Sequence, residues 1–235
     1  MRLKTSKREK ILDAAVEEFS RHGFRQASLN RLAESLGISK GSLFQYFGNK
    51  EGLFLFIFDH AVALVRQRLG QVKHNTADKD FFERIRQSLI AGVDFIQKHP
   101  RVYRIYLKML FQEDFPLRDE LLQRVRFFSA EYLRPIVLAG MARGEVRSDM
   151  DPEFVVFFLD AVMDRFLQAH CVSFLDGGTG LYEGSSEVTG RLIDEFIKVL
   201  KNGLAGDGMV MAKETALDTK GTENASRNGL QVFGS

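Results

Sequence analysis

Apolar residues in this chain recur every three or four positions and almost never alternate strictly with polar ones, which leaves helices as the way to bury them. Only 4 prolines interrupt that pattern in 235 residues. The expected fold class is all-α, and 45% hydrophobic residues are ample for a core.

The breaks between apolar runs set the expected elements. Ile11, Ala15 and Phe19 stand at i, i+4 and i+8 and predict a helix over 7–21, stopped by His22-Gly23. Ser28 suits the cap of a second helix whose Leu29, Leu32, Ala33 and Leu36 share one face, ended by Gly37. Ser39 caps a third through Phe47, closed by Gly48-Asn49. A Phe-rich helix is expected over 50–69 with Gly70 as its end. Others follow over 80–99, 101–112, 117–143, 151–175 and 186–200, with Pro116 as a separator and a kink or break at Pro135. The helix over 151–175 is apolar on nearly all sides and should be sandwiched. Beyond Gly203 the composition turns to Gly, Ala, Thr, Asn and Asp, so 204–235 reads as a disordered tail.

Charge is distributed unevenly. The formal net charge is only +2, yet residues 1–50 carry an excess of +5, which leaves −3 for the remainder. A basic end, with Arg2, Lys4, Lys7, Arg8 and Lys10 at its start, points to a polyanion partner for that end. The single Cys171 forms no internal disulfide, and no apolar signal core follows the basic start. Asp160, Asp164 and Arg165 interrupt the most apolar window, against a transmembrane helix. A cytoplasmic protein with no membrane partner is expected.

Two short helices joined by a Gly-containing turn and stacked on a preceding helix describe a helix-turn-helix, whose second helix enters the major groove of double-stranded DNA. With Leu43 and Phe47 packed inward, Lys40, Gly41, Ser42, Phe44, Gln45 and Tyr46 remain for DNA. Gly41 lets the backbone approach, while Ser28 and Ser39 offer hydroxyls and helix-start N–H groups to phosphates.

The order Ser28-Leu29, Leu32-Ala33, Gly37-Ile38-Ser39-Lys40-Gly41-Ser42-Leu43-Phe44, Tyr46-Phe47, Lys50-Glu51, Leu53 resembles the N-terminal signature of the TetR family of bacterial transcriptional regulators. The match runs from about Ile11 to Leu53. The resemblance implies that Ser28 caps its helix and touches phosphate, that Ser39, Ser42 and Tyr46 touch the DNA backbone, and that Lys40, Gly41 and Gln45 reach base edges. It makes Lys50 a phosphate-contacting lysine. Phe44 departs from a usual tyrosine, Leu36 from a usual small residue, and Ser28 and Ser42 from commoner threonines.

The same resemblance implies a helix-turn-helix domain over 1–49 and a helical ligand-binding and dimerisation domain over 50–203. The body would hold a small-molecule effector, and its last two long helices would form a homodimer that presents two recognition helices to a palindromic operator. Phe158, Val162 and Phe166 are the expected dimer residues on the first of these helices, and Leu192, Phe196 and Val199 on the second. Candidates for the pocket are Tyr103, Tyr106, Leu110, Phe127, Phe128, Phe157 and Asp164. Asp160 and Asp164, one turn apart on an apolar helix, could line a polar pocket, meet Arg165 or another basic residue across the dimer, or face solvent. His170 and Cys171 read as packing residues.

No cofactor is called for. The Gly-rich stretch 176–180 follows no strand and precedes no Gly-Lys-Ser/Thr, so it reads as a loop. No Cys or His cluster suggests a metal, and no nucleophile–base arrangement stands out. An enzymatic or ligand-binding helical domain without DNA, and a membrane-surface protein built on the Phe-rich helix, are the alternative readings.

Overall fold

A computed structural model of the chain describes residues 5–111, 115 and 117–204. Among these, nine α-helices account for nearly all regular structure: α1 Thr5–Gln26, α2 Leu29–Ser35, α3 Lys40–Phe47, α4 Lys50–Asn75, α5 Phe81–Lys98, α6 Pro100–Phe111, α7 Arg118–Ala142, α8 Pro152–Cys171 and α9 Ser186–Leu204. The expected separator at Pro116, the end of a helix at Gln112, basic residues Arg2 and Lys4, and the tail beyond Leu204 lie outside the described residues.

Several boundaries differ from expectation for identifiable reasons. Gly23 leaves the helical region (φ 67°, ψ −179°), but it kinks α1 rather than ending it, and a last helical stretch reaches Gln26. Gly70 does not end α4. Val72, two residues further, is 7% exposed, and its burial, worth about 1.5–3 kcal/mol, outweighs the roughly 1 kcal/mol that a mid-helix glycine costs. Of the kink or break expected at Pro135, the break does not occur, and α7 runs through it. The neighbouring Leu133, Ile136 and Val137 are all buried, and three such side chains at about 1.5–3 kcal/mol each exceed the roughly 3 kcal/mol cost of an internal proline. Helix α8 stops at Cys171 because Val172 turns extended (φ −128°, ψ 107°), and a 3-10 turn, Ser173–Leu175, follows.

Two apolar cores matter for the site. Ile11, Phe19, Leu32, Leu43, Leu53 and Phe54 build the first, and Ile105, Met109 and Phe115 join it from the body. Helix α1 therefore rests on α6. Arg101 Nη1 donates to Glu17 Oε2 at 2.8 Å, and the Phe24 and Phe115 rings lie 4.0 Å apart. The second core gathers Phe81, Phe82, Val137, Val155 and Leu159 between α5, α7 and α8. One face of α8 is thus buried, but Phe154 and Phe157 point outward, so α8 is not sandwiched within the chain.

Candidate functional site

The helix-turn-helix is assembled by caps that the sequence sets locally. Ser28 Oγ accepts the Arg31 N–H at 3.4 Å, and Ser39 Oγ accepts the Ser42 N–H at 3.2 Å. Each cap satisfies one of the unpaired donors of a helix start, a contribution of about 1 kcal/mol. Gly37, at φ 62°, makes the left-handed turn between α2 and α3. Leu43 is buried and Phe47 half-buried against Phe56, so α3 is held by the face opposite its exposed residues. Asn49 Oδ1 accepts the Gly52 N–H at 2.7 Å, and a side chain at Gly52 would collide with the Phe47 carbonyl, which is why α4 can start directly behind α3.

On the outer face of α3, Lys40, Gly41, Phe44 and Gln45 are exposed, and Ser42 and Tyr46 are half-buried. Lys40 Nζ lies 5.6 Å from the centre of the Phe44 ring, and Lys7 Nζ lies 5.5 Å from that of Tyr46. The basic start of α1 thus reaches the recognition surface.

Two expected phosphate contacts are already engaged. The Ser28 N–H donates to Glu18 Oε1 at 2.6 Å, so this helix-start donor is not free for phosphate. Lys50 Nζ donates to the Arg25 carbonyl at 2.9 Å and sits 4.9 Å from the Phe24 ring centre, which ties α4 to the end of α1.

Behind the headpiece lies an apolar cavity of about 240 Å³, walled by α4, α5, α6, α7 and α8. Of the expected pocket residues, Tyr103, Tyr106, Phe128 and Asp164 line it. Leu110, Phe127 and Phe157 do not: Phe127 and Phe157 are 71% and 66% exposed on the outside of the molecule, and Leu110 is half-buried next to Met109, which does line it. Helical spacing gave these aromatics an apolar face but not its direction. Residues not singled out from the sequence complete the wall, chiefly Phe54, Ile57 and Phe58 of α4 and Arg126, Ser129 and Tyr132 of α7. The Phe-rich start of α4 was the available signal for the first three; Arg126 had none.

The largest polar cluster of the cavity lies at its α6–α7–α8 side, with Arg68 of α4 and the hydrogen-bonded Ser88 and Tyr132 as further polar groups in the wall. Arg126 Nη1 donates to Asp160 Oδ2 at 2.9 Å and to Asp164 Oδ2 at 3.1 Å, while its Nη2 donates to the Tyr106 hydroxyl oxygen at 2.8 Å. The Tyr106 hydroxyl donates in turn to Asp164, Gln168 Nε2 donates to Asp164 at 2.8 Å, and Ser129 donates to Asp160. Of the three roles open to the acid pair, lining a polar pocket is the one this geometry supports. Burial raises the Asp164 carboxyl above its ordinary value in spite of Arg126. Burial likewise keeps Tyr103 and Tyr106 protonated. The Tyr103 hydroxyl is buried and has no hydrogen-bond partner among the described residues.

A third surface runs along α8 and α9. Phe154, Phe157 and Val199 are 54%, 66% and 68% exposed. Phe158, Val162, Leu192, Phe166 and Phe196 are half-buried behind them, the last two with ring centres 5.7 Å apart. His170 is buried, with Nδ1 3.1 Å from the Leu181 carbonyl oxygen, and Cys171 is half-buried. The Gly-rich segment is a loop organised by Asp176, whose carboxylate accepts the N–H groups of Gly180, Leu181 and Tyr182. No helix among the described residues is long and apolar enough to cross a membrane.

Comparison with known proteins agrees with this architecture. Residues 11–57 match the model for bacterial regulatory proteins of the tetR family, and residues 79–205 match the tetracyclin repressor-like C-terminal domain. The chain is 25% identical over 196 residues to a probable acrEF/envCD operon repressor of Escherichia coli, covering 81% of this chain and 86% of that one. It is 28% identical over 189 residues to the transcriptional repressor AcnR of Corynebacterium glutamicum, covering 78% and 89%. A TetR family regulator from Chloroflexus aurantiacus superimposes with a TM-score of 0.62 at 28% identity, over 86% of this chain and 95% of that one. With a DNA-reading headpiece at one end and the matching C-terminal domain over most of the rest, the chain belongs to the TetR family of bacterial transcriptional regulators.

Proposed function

We propose that this regulator is a repressor that binds a palindromic operator as a homodimer and is released by a small apolar or amphipathic effector held in the cavity. The observation that carries this reading is the double use of Phe54, Ile57 and Phe58, which belong both to the headpiece core and to the cavity wall. A ligand that favours one position of α4 therefore acts on the headpiece through its differential affinity for the two positions. A near-complete switch needs a difference of about 10⁴-fold.

In the bound dimer the two α3 helices enter major grooves about 34–36 Å apart. Lys40, Gly41 and Gln45 read bases, and Ser28, Ser39, Ser42, Tyr46 and Lys50 hold the backbone. Phe44, 41% exposed where a hydroxyl is usual, suits a thymine methyl instead. The exposed Phe154, Phe157 and Val199, backed by Phe158, Val162, Phe166, Leu192 and Phe196, form the dimer face. Relatives named as repressors favour repression over activation.

Mobility-shift titration with DNA flanking the protein's own gene tests the reading. The shifted complex should dissolve when small molecules extracted from natively purified protein are added. Absence of a complex, or a complex indifferent to the extract, overturns it.

A further inference from the structure

One side of the cavity carries more negative than positive charge. Asp160 and Asp164 share the single Arg126 guanidinium, and their other donors, Tyr106, Ser129 and Gln168, are uncharged. The two carboxylate side chains are only 17% and 20% exposed, so water screens them poorly. The other guanidinium in the wall, Arg68 of α4, reaches Asp94 at 2.9 Å, a carboxylate that Lys98 shares, and its buried Nε has no hydrogen-bond partner among the described residues; it takes no part in the hydrogen-bonded cluster around Asp160 and Asp164. Beside the acid pair, the Tyr103 ring lies 5.6 Å from that of Tyr106, and its buried hydroxyl is without a partner. Such an atom costs free energy until something polar enters the cavity. Apart from Arg68 and the hydrogen-bonded Ser88 and Tyr132 hydroxyls, the rest of the wall, with Phe54, Phe58, Phe95, Leu69, Met163 and Leu167, suits an apolar body.

Resting on the reading of this cavity as the effector site, we infer that the effector is a lipophilic organic cation, a protonated amine on an apolar body. Its ammonium lies against Asp160 and Asp164 and donates an N–H to the Tyr103 hydroxyl oxygen. A neutral ligand leaves the excess charge uncompensated. An anion meets two carboxylates whose one guanidinium is already shared. The aromatic faces of Tyr103 and Tyr106 add attraction for a cation once water is excluded.

The test uses three probes of one chain length that differ only in the head group: decylamine, decan-1-ol and decanoate, titrated calorimetrically into the full chain below their aggregation concentrations. Decylammonium should bind at least about tenfold more tightly than decanol, with decanoate weakest. Asp164→Asn and Asp160→Asn should each reduce that preference while decanol binding persists, which also reports that the variants are folded. Tyr103→Phe should weaken decylammonium without lowering the melting temperature. Equal binding of amine and alcohol, preferential binding of decanoate, no binding of any probe, or a cation preference that survives in both Asn variants overturns the inference. Decylammonium that binds as expected but leaves the DNA complex intact retains the inference and overturns the release mechanism instead.

Discussion

Glu18 Oε1 accepts the backbone N–H of Ser28 at 2.6 Å, so α1 grips the first residue of the helix-turn-helix across ten positions of chain. The same carboxylate holds Arg31, whose Nη2 also donates to the Gln26 carbonyl at 2.9 Å. One side chain thereby ties α1, the connection and α2 together, which makes the orientation of α2 a property of α1. Burial works against ionisation of Glu18, but Arg31 and the Ser28 N–H outweigh it and hold its carboxyl below the ordinary value. Glu18→Ala leaves a backbone donor and a guanidinium without their acceptor. It should lower stability by about 1–3 kcal/mol and weaken specific and nonspecific DNA binding together, as read by denaturant melts and mobility shifts.

Gln45 stands exposed on α3 with no packing duty, so its loss should be felt only at the DNA. Gln45→Ala is expected to reduce discrimination between operator and random DNA by about 1–3 kcal/mol with an unchanged melting temperature. Equal losses on both DNAs would falsify the base-reading role.

Lys50 has a structural duty as well as an expected electrostatic one. Lys50→Ala removes the bond to the Arg25 carbonyl and the contact with Phe24, for a stability loss of about 1–2 kcal/mol. If its remaining N–H groups also reach phosphate, the slope of log affinity against log salt falls by about one unit. Melting and salt titrations separate the two roles: an unchanged slope in a destabilised variant assigns Lys50 to structure alone.

Phe157 lies on the outward side of α8, 66% exposed beside Phe154. Phe157→Glu puts a charge on the proposed dimer face without disturbing the cavity. Sedimentation should show monomers at concentrations where the unaltered protein is dimeric, with operator affinity reduced and cavity binding retained. A dimer that survives the change moves the interface elsewhere.

Asp176 is held down to about 2 by the Thr179 hydroxyl and by the N–H groups of Tyr182, Gly180 and Leu181. Its folded value lies below the ordinary 3.8, so its contribution to stability is present above that value and is lost as pH falls through about 2. Asp176→Asn should lower the melting temperature near neutral pH and converge with the unaltered protein at the acid end. Parallel melting curves across that window would leave the loop without this anchor.

The helix-turn-helix could be read from the chain because its determinants are local. Ser28 and Ser39 cap donors three residues away, Gly37 supplies a left-handed turn that few other residues adopt, and Leu43 and Phe47 define the buried face by helical spacing alone. The all-helical class follows from the same periodicity. The expected helix end at Gly70 does not occur, because local propensity there is overridden by a side chain, Val72, buried in the fold.

The cavity and the outward face belong to the tertiary structure. Tyr106 meets Asp164 across 58 positions, and Arg126 meets Asp160 across 34, separations for which spacing carries no signal. Phe128 faces the cavity while its neighbour Phe127 faces outward, a difference of about one hundred degrees around α7 that only the packing of α7 on α8 assigns. Periodicity determined which residues form helices and which share a face. Only the folded arrangement, by burying one side of α8 against α7 and leaving the other bare, decided which aromatics line the cavity and which stay exposed.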